Sequence, residues 1–379
     1  MLLTTVFQPL LTLSLASMAL TACGHPSPAP AGSGTLARRA TTCNGFAELC
    51  NRSFGNVSFV GAHDSYAIGV NNLATNQDQT ITQQLNDGIR MLQSQAHNEN
   101  GTLKLCHTSC GLYDGGTLAD YLKTVKTWMD ANPNEVLSLL IVNIDNAPAS
   151  AYDTVFKSAG LDTMSYAPSQ QTLPASGWPT LGSLIDSGKR LLTFLDHQAT
   201  PDIPYLLDEF SNIWETAFDV TDPTFDCEVN RTAGDATTQM YLINHFLDKI
   251  TFGAPVPNIA QAPVTNAATG AGSLGEQVSK CTGQHGRPPN FLLVDFYEFG
   301  GGSVFQVAAD INGVQYKPST PVAKPMPTDG TATSSGTVKI TSSPIGGKSG
   351  SSSLIFSSGQ STAALIASIA FIVGPLLIL

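Results

Sequence analysis

An α/β fold with a mostly parallel sheet, sized for a single (β/α) barrel, is what this sequence predicts. Three observations predict it. Apolar strand-like runs alternate with amphipathic helical patterns through the middle of the chain. The stretch with globular composition, residues 41–317, is 277 residues long, near the ~250 of one barrel. Acids, amides and imidazoles recur where apolar runs stop: His63, Asp64, His107, Asn143, Asp145, Asp196, His197 and Asp295. In a parallel barrel the carboxyl ends of the strands form the active-site mouth.

The elements follow in order. Residues 57–62 read as a strand and 81–87 as a short helix, with Ile81 and Leu85 one turn apart. Residues 89–96 and 103–106 read as the next two strands. Thr117 is placed to cap a helix over 118–131, whose Leu118, Leu122, Val125 and Met129 form one stripe. The run 136–143 is almost continuously apolar, as in a strand buried on both faces. Helix is expected at 152–159, strand at 190–195, helix at 240–250, strand at 291–296 and a closing helix at 304–311. No internal repeat is evident.

The ends of the chain read differently. Residues 1–22 are apolar and finish in small residues, the pattern of a secretory signal. Leu20-Thr21-Ala22-Cys23 also fits a bacterial lipoprotein site, and an anchor helix is the other alternative. Residues 23–40 form a Pro/Ala/Gly/Ser-rich linker, and 318–353 a Ser/Thr/Pro/Gly-rich stalk suited to O-glycosylation. Residues 354–379 combine a polar spacer with an apolar tail. With the small residues 349–353 before them, they match a glycosylphosphatidylinositol (GPI) anchor signal, a tail-anchor helix being the competitor.

Cysteine usage agrees with secretion. Cys43, Cys50, Cys106, Cys110, Cys227 and Cys281 remain once residues 1–23 are set aside. Local spacing favours Cys43 with Cys50 and Cys106 with Cys110, leaving Cys227 with Cys281. The spacings are wrong for a zinc ribbon or finger. Sequons at Asn51, Asn56, Asn100 and Asn230 are expected on exposed loops of a glycoprotein. The net charge of −11, with only 18 Lys and Arg, excludes nucleic acid as a natural partner and argues against tight adhesion to anionic lipid. Attachment to a membrane would come from the anchor, on the outer face of the plasma membrane or cell wall. A monomer is expected.

Two motifs carry the chemistry. Val60-Gly61-Ala62-His63-Asp64-Ser65 and Leu105-Cys106-His107 each end a strand-like run in a histidine. Two imidazoles at the ends of neighbouring strands can serve as base and acid on one substrate. A core histidine satisfied by one hydrogen bond is the plainer reading of either alone.

These residues, with Gly88-Ile89-Arg90-Met91-Leu92, Asn134-Glu135-Val136 and Asn290-Phe291-Leu292-Leu293-Val294-Asp295-Phe296-Tyr297, resemble the phosphatidylinositol-specific phospholipase C X-domain family of PLC-like phosphodiesterases. The resemblance runs over nearly the whole core and is greatest to secreted fungal members with an anchor signal. It implies an irregular TIM-like (β/α) barrel in one domain. It implies that His63 takes the proton from an inositol hydroxyl that attacks the adjacent phosphorus, and that His107 protonates the departing diacylglycerol oxygen. Asp64 follows the first histidine as in bacterial members. Asp295 is a candidate to orient a histidine, with a barrel-closing ion pair as its alternative.

The sequence departs from the family at the strand after Gly88. Where the family carries carboxylates for calcium, or an acid and an arginine, this chain has Gln93 and Gln95. Neutral amides are poor calcium ligands, so no cofactor is expected. Side-chain alternation puts Met91, Gln93, Gln95 and His97 on one face and Arg90 on the other. Asn143, with Asp145 at the same strand parity, stands where calcium-dependent members place a glutamate. Lys104, Arg190 and His97 are candidates for the missing positive charge. Tyr297, Trp214 and Tyr241 are candidates to stack on a sugar or enter lipid, or equally to pack the core.

The leading expectation is a secreted cell-surface phosphoric diester hydrolase. It acts on a phosphoinositide or related phospholipid by two-histidine acid/base catalysis without metal. The alternative is a catalytically weakened barrel kept as a cell-wall binding or structural module. Glycerophosphodiesterase and sphingomyelinase D chemistry is a third possibility, but it needs metal-binding carboxylates that the second strand lacks.

Overall fold

Among residues 39–327, which the computed structural model describes, the strands run in chain order β1 (Phe59–Ala62), β2 (Met91–Glu99), β3 (Thr102–Cys106), β4 (Asp114–Thr117), β5 (Leu137–Asn143), β6 (Leu191–Leu195), β7 (Leu206–Asp208), β8 (Ile213–Glu215), β9 (Met240–Asn244), β10 (Asp248–Thr251), β11 (Ala254–Pro257) and β12 (Phe291–Val294). The helices are α1 (Ile81–Asp87), α2 (Leu118–Ala131), α3 (Ala149–Ala159), α4 (Leu181–Asp186), α5 (Glu209–Asn212), α6 (Ala262–Thr265), α7 (Leu274–His285) and α8 (Ser303–Ile311). The signal, the anchor signal and most of the linker and stalk lie outside the described residues.

Eight parallel strands form one curled sheet in the order β7-β6-β5-β2-β1-β12-β9-β8. Within this sheet every strand except β7 neighbours the next in chain order, and the first, β1, pairs with the last, β12. That is barrel topology with one seam, between β7 and β8. A parallel crossover needs a dozen residues or more, and only the four residues of α5 separate these two strands. The seam stays unpaired. This is the physical basis of the expected irregularity.

The runs that read as continuously apolar are buried on both faces. β6, β9 and β12 are buried at every position, and β5 at all but Val142. Helices pack outside. Thr117 caps α2 by accepting from Asp120 N, and α2 buries Leu118, Leu122, Val125 and Met129, with Tyr121 and Trp128. Inside, Met91, Leu140, Leu192, Leu242 and Leu293 belong to one buried cluster. Phe54, Phe59, Trp178 and Phe291 pack ring on ring within that cluster. Phe59 and Phe291 begin their strands, so the aromatics form the barrel floor. The carboxyl ends are left open.

Two expectations need correction. Residues 240–250 are not a helix: they form β9, an irregular connection over 245–247, and the start of β10. A short run buried on both faces carries no period that separates strand from helix. β3 is not a barrel strand either. It runs antiparallel to β2, with Glu99 opposite Thr102, across Asn100 (φ 52°) and Gly101 (φ 85°). An Asn-Gly pair with both φ positive is the turn that suits the right-handed twist of a hairpin. Past the expected end of the folded part, Ala323 N donates to Asp87 (3.1 Å) and Met326 N to Asp78 (2.8 Å).

Candidate active site

β1 and β12 lie in register with Ala62 opposite Val294, so the residues that follow, His63 and Asp295, emerge side by side. His63 Nδ1 lies 2.9 Å from Asp295 Oδ1. Asn76 Nδ2 donates to both Asp295 oxygens, at 3.2 and 3.1 Å. The His63 ring stacks on Phe246, with centroids 3.8 Å apart. Held in this way, Nδ1–H faces the carboxylate and Nε2 is left for chemistry. Burial alone lowers the His63 pKa. The charges of Asp295 and then Asp64 outweigh it and raise it to about 9.

His107 arrives by another route. The β2–β3 hairpin carries the chain out beyond the barrel and back, so the residue after β3 returns to the mouth. The Cys106–Cys110 disulfide clips the loop there. His107 Nδ1 lies 2.9 Å from the Ala74 carbonyl, which fixes its proton on that nitrogen and frees Nε2. Both free nitrogens face one oxygen. Asp64 Oδ2 lies 3.9 Å from His63 Nε2 and 3.5 Å from His107 Nε2.

Asp64 is fully buried, with a left-handed φ of 37°. Burial raises its pKa, against the pull of both histidines. Gln93 and Gln95 hold it in place. Gln93 Oε1 accepts from Asp64 N (2.6 Å) and Gln95 Nε2 donates to Asp64 Oδ2 (2.9 Å). Gln95 Oε1 also accepts from Thr108 N at 3.3 Å. The two amides therefore brace the acid between the imidazoles, while also lining the cavity.

That cavity, about 430 Å³, runs from both histidines to a wall that sequence reasoning missed: Asn244, Glu215, Arg231, Phe218, Asp219 and Asp248. Arg231 donates from Nε to Glu215 Oε2 at 3.1 Å and lies 4.4 Å over the Phe218 ring. Burial lowers its pKa, but Glu215 outweighs that and keeps it firmly protonated. Among the described residues that line the cavity it is the only Lys or Arg. In the sequence it was visible only as the middle of the Asn230 sequon. Asn76, Phe246 and Asp219 sit in loops that carry no motif, and Asp248 stands at the start of the short strand β10.

The other candidates lie elsewhere. Arg90 and Arg190, at the opposite end of the barrel, are committed to structure. Arg90 pairs with Glu135 at 2.8 Å and lies over Trp128. Arg190 is buried and donates to the carbonyls of Met129, Asn132 and Glu135. Lys104, on the outer hairpin, pairs with Asp114 at 2.7 Å. None of the three reaches the cavity, because backbone carbonyls or neighbouring carboxylates already hold them. Asn143 closes the loop before α3, bonding Ala147 through N–H and carbonyl and donating to His197 O. His97 lies 3.6 Å from Asp145. Tyr297 is core and donates to Asp87, and Trp214 stacks on Tyr241. Exposed His197 lies 2.8 Å from Asp196. The three disulfides pair as the spacing suggested, and all four sequon asparagines are exposed. Among the described residues no group of three or more His, Cys, Asp or Glu is placed to hold a metal ion.

A family model described as PI-PLC X 1 matches residues 49–312. The chain belongs to this family. Two proteins of the fungus Arthroderma benhamiae are similar to it. One, called an uncharacterized secreted protein, is 46% identical over 285 residues, which are 72% of this chain and 64% of that protein. The chain thus spans just under two thirds of that relative. The other, called PI-PLC X domain-containing protein 1, is 45% identical over 277 residues, 72% of this chain and 90% of the relative. Among solved structures, the phosphatidylinositol-specific phospholipase C of Listeria monocytogenes is similar over 70% of this chain and 96% of its own, at 15% identity and a TM-score of 0.48.

Proposed function

We propose that this PI-PLC X family member is a secreted phosphodiesterase that cleaves an inositol phospholipid or related phosphodiester. His63 is the base and His107 the acid. The observation that carries the reading is the pair of oriented imidazoles, each with Nδ1 occupied and Nε2 turned to one carboxylate oxygen at an open mouth. Asp295 makes His63 a strong proton acceptor and stabilises its charged form in the transition state. His107 delivers a proton to the leaving oxygen. Asp64, held by Gln93 and Gln95, sets the two rings relative to each other. Arg231 supplies the positive charge for the phosphate, which the glutamine strand lacks, and does so from the facing wall. Exposed Ile144 and Phe218 line the same cavity, and Phe252, 77% exposed, tips the β10–β11 hairpin beside it. These suit a substrate that arrives with a lipid tail.

Secretion is supported by three disulfides and by a 46%-identical relative that is called a secreted protein. Surface attachment through a GPI anchor and glycosylation at the four sequons complete the proposal. The loss of charged groups at Gln93 and Gln95 favours a second reading, a weakened barrel that binds but does not turn over.

The test is release of inositol phosphate from phosphatidylinositol by the purified protein, with calcium and with chelator. His63→Ala and His107→Ala are each expected to cost about 10²–10⁴-fold in rate. A folded parent inactive on every inositol lipid favours the binding module. Calcium dependence refutes the metal-free mechanism.

A further inference from the structure

The connection from β1 to α1 is buried over residues 74–79, although these residues belong to no helix or strand. Its inner side serves the two histidines. The Ala74 carbonyl holds His107 Nδ1, and Asn76 donates to both oxygens of Asp295. Gln77 Nε2 donates to the His63 carbonyl at 2.8 Å and to the Val294 carbonyl at 3.1 Å. The aim of both imidazoles therefore depends on this loop keeping its place. A buried loop without a ladder of its own must find partners for its polar groups elsewhere. Its outer side finds them in residues 321–327, the start of the stretch that reads as a stalk. Asp78, fully buried, accepts from Met326 N at 2.8 Å, and Gln79 Nε2 donates to the Lys324 carbonyl at 2.9 Å. Ala323 N donates to Asp87, the last residue of α1. Val322 packs on the core, so close to the start of α8 that a Cβ on Gly302 (φ 96°) would lie 3.0 Å from it. Behind Asp78 lies Glu298, 1% exposed. Burial raises the pKa of both acids, and the hydrogen bond between their side chains lets them share one proton. Asp78 is thus gripped from the core as well as from the strap.

Resting on the phosphodiesterase reading, we propose that residues 321–327 are a positioning strap for the active site. Through Asp78 and Gln79 they hold the 74–79 loop, and the loop holds both histidines on their target. Asp78 and Gln79 are positioning residues, since both act through the loop rather than on substrate. A catalytic pair is only as well aimed as the shell that supports it. The segment that reads as the root of a stalk is therefore part of that shell.

Gln79→Ala combined with Met326→Pro, in the full chain, removes both bonds between loop and strap. Met326 stands between Pro325 and Pro327 with its side chain exposed, so proline there takes away little but the N–H. On phosphatidylinositol, kcat is expected to fall by about tenfold or more, as for a catalytic group slightly misplaced. KM should stay within about twofold, because the cavity wall is untouched. Asp78→Ala is expected to lose as much. Asp78→Asn keeps an acceptor for Met326 N and offers Glu298 a donor, and should recover most of the loss. The ring Nδ1–H protons of His63 and His107 give a readout without turnover. In the parent both should appear as sharp low-field proton resonances, assigned with His63→Ala and His107→Ala. In the double variant they should broaden as local opening lets them exchange with solvent. Unchanged kcat in the double variant, even with a lowered Tm, would make the strap a brace for stability alone and overturn the proposal. Ring resonances that stay sharp there overturn it too, as does an Asp78→Asn protein as impaired as Asp78→Ala. A parent that turns over no inositol lipid, but whose ring resonances are lost in the double variant, sustains the strap's role while the hydrolytic reading fails.

Discussion

At the scale of single residues, the pair His63 and Asp295 sets the pH behaviour. A base must be unprotonated to act, and Asp295 and Asp64 hold a proton on His63 up to about pH 9. The free base is then only about one molecule in a hundred at pH 7. The rate profile is expected to rise about tenfold per pH unit and level off near pH 9. If His63 were instead the acid, activity would stay nearly flat up to about pH 9 and fall above it, so a kcat/KM profile decides between the roles. Asp295→Asn removes the main upward influence and should shift the rising limb to lower pH, while lowering the plateau because the ring loses its orientation. The two histidines were readable because each ends an apolar run. Arg231 and Asp248 were not, because what matters about them is the cavity they face; the long β8–β9 connection carries Arg231 there, and the short turn from β9 into β10 carries Asp248. Gln93 and Gln95 were seen as losses of charge. Their bonds to Asp64 give them a structural task that no linear pattern encodes.

At the scale of elements, position on the barrel separates what was readable from what was not. Helices with a wet face and a dry face, such as α2, announce themselves by stripe and cap. Strands buried on both faces do not, and the run that forms β9, buried at every position, carries no period that separates it from a helix. β7 and β8, three residues each, are too short to show a period. The β2–β3 hairpin was announced by Asn100-Gly101, but those residues drew notice only as a sequon. The hairpin matters for the proposed function because it delivers His107, and the Cys106–Cys110 disulfide closes the loop at its foot. Replacing both cysteines by serine should free that loop. A shift of about 1 Å in a catalytic group can cost on the order of 10²-fold, so a 10–100-fold fall in kcat is expected. Circular dichroism should stay native, because the barrel strands do not depend on this clip. Unchanged turnover would mean that the Ala74 carbonyl alone positions His107.

At the scale of the molecule, one end of the barrel is packed for stability and the other carries the proposed chemistry. The floor is an aromatic cluster in which Phe54, fully buried, packs on Phe59, Trp178 and Phe291 at centroid distances of 5.1, 5.5 and 6.0 Å. Arg90 and Arg190 brace the same end. The mouth holds the left-handed backbone of Asp64 and two acids, Asp64 and Asp248, whose pKa values burial raises. Local strain of this kind persists only where the rest of the fold over-determines it. The two ends should therefore respond separately to substitution. Phe54→Ala empties part of the floor and is expected to cost about 3–5 kcal/mol of stability, on the order of ten degrees in Tm for a chain of this size. Well below that Tm, kcat should remain within about twofold of the parent, since the site and the floor share no partner. Thermal denaturation and kinetics on one preparation check both halves. A Phe54→Ala protein with an unchanged Tm but a large loss of kcat would mean that packing at the floor is transmitted to the imidazole pair, and that the division of labour along the barrel axis is false.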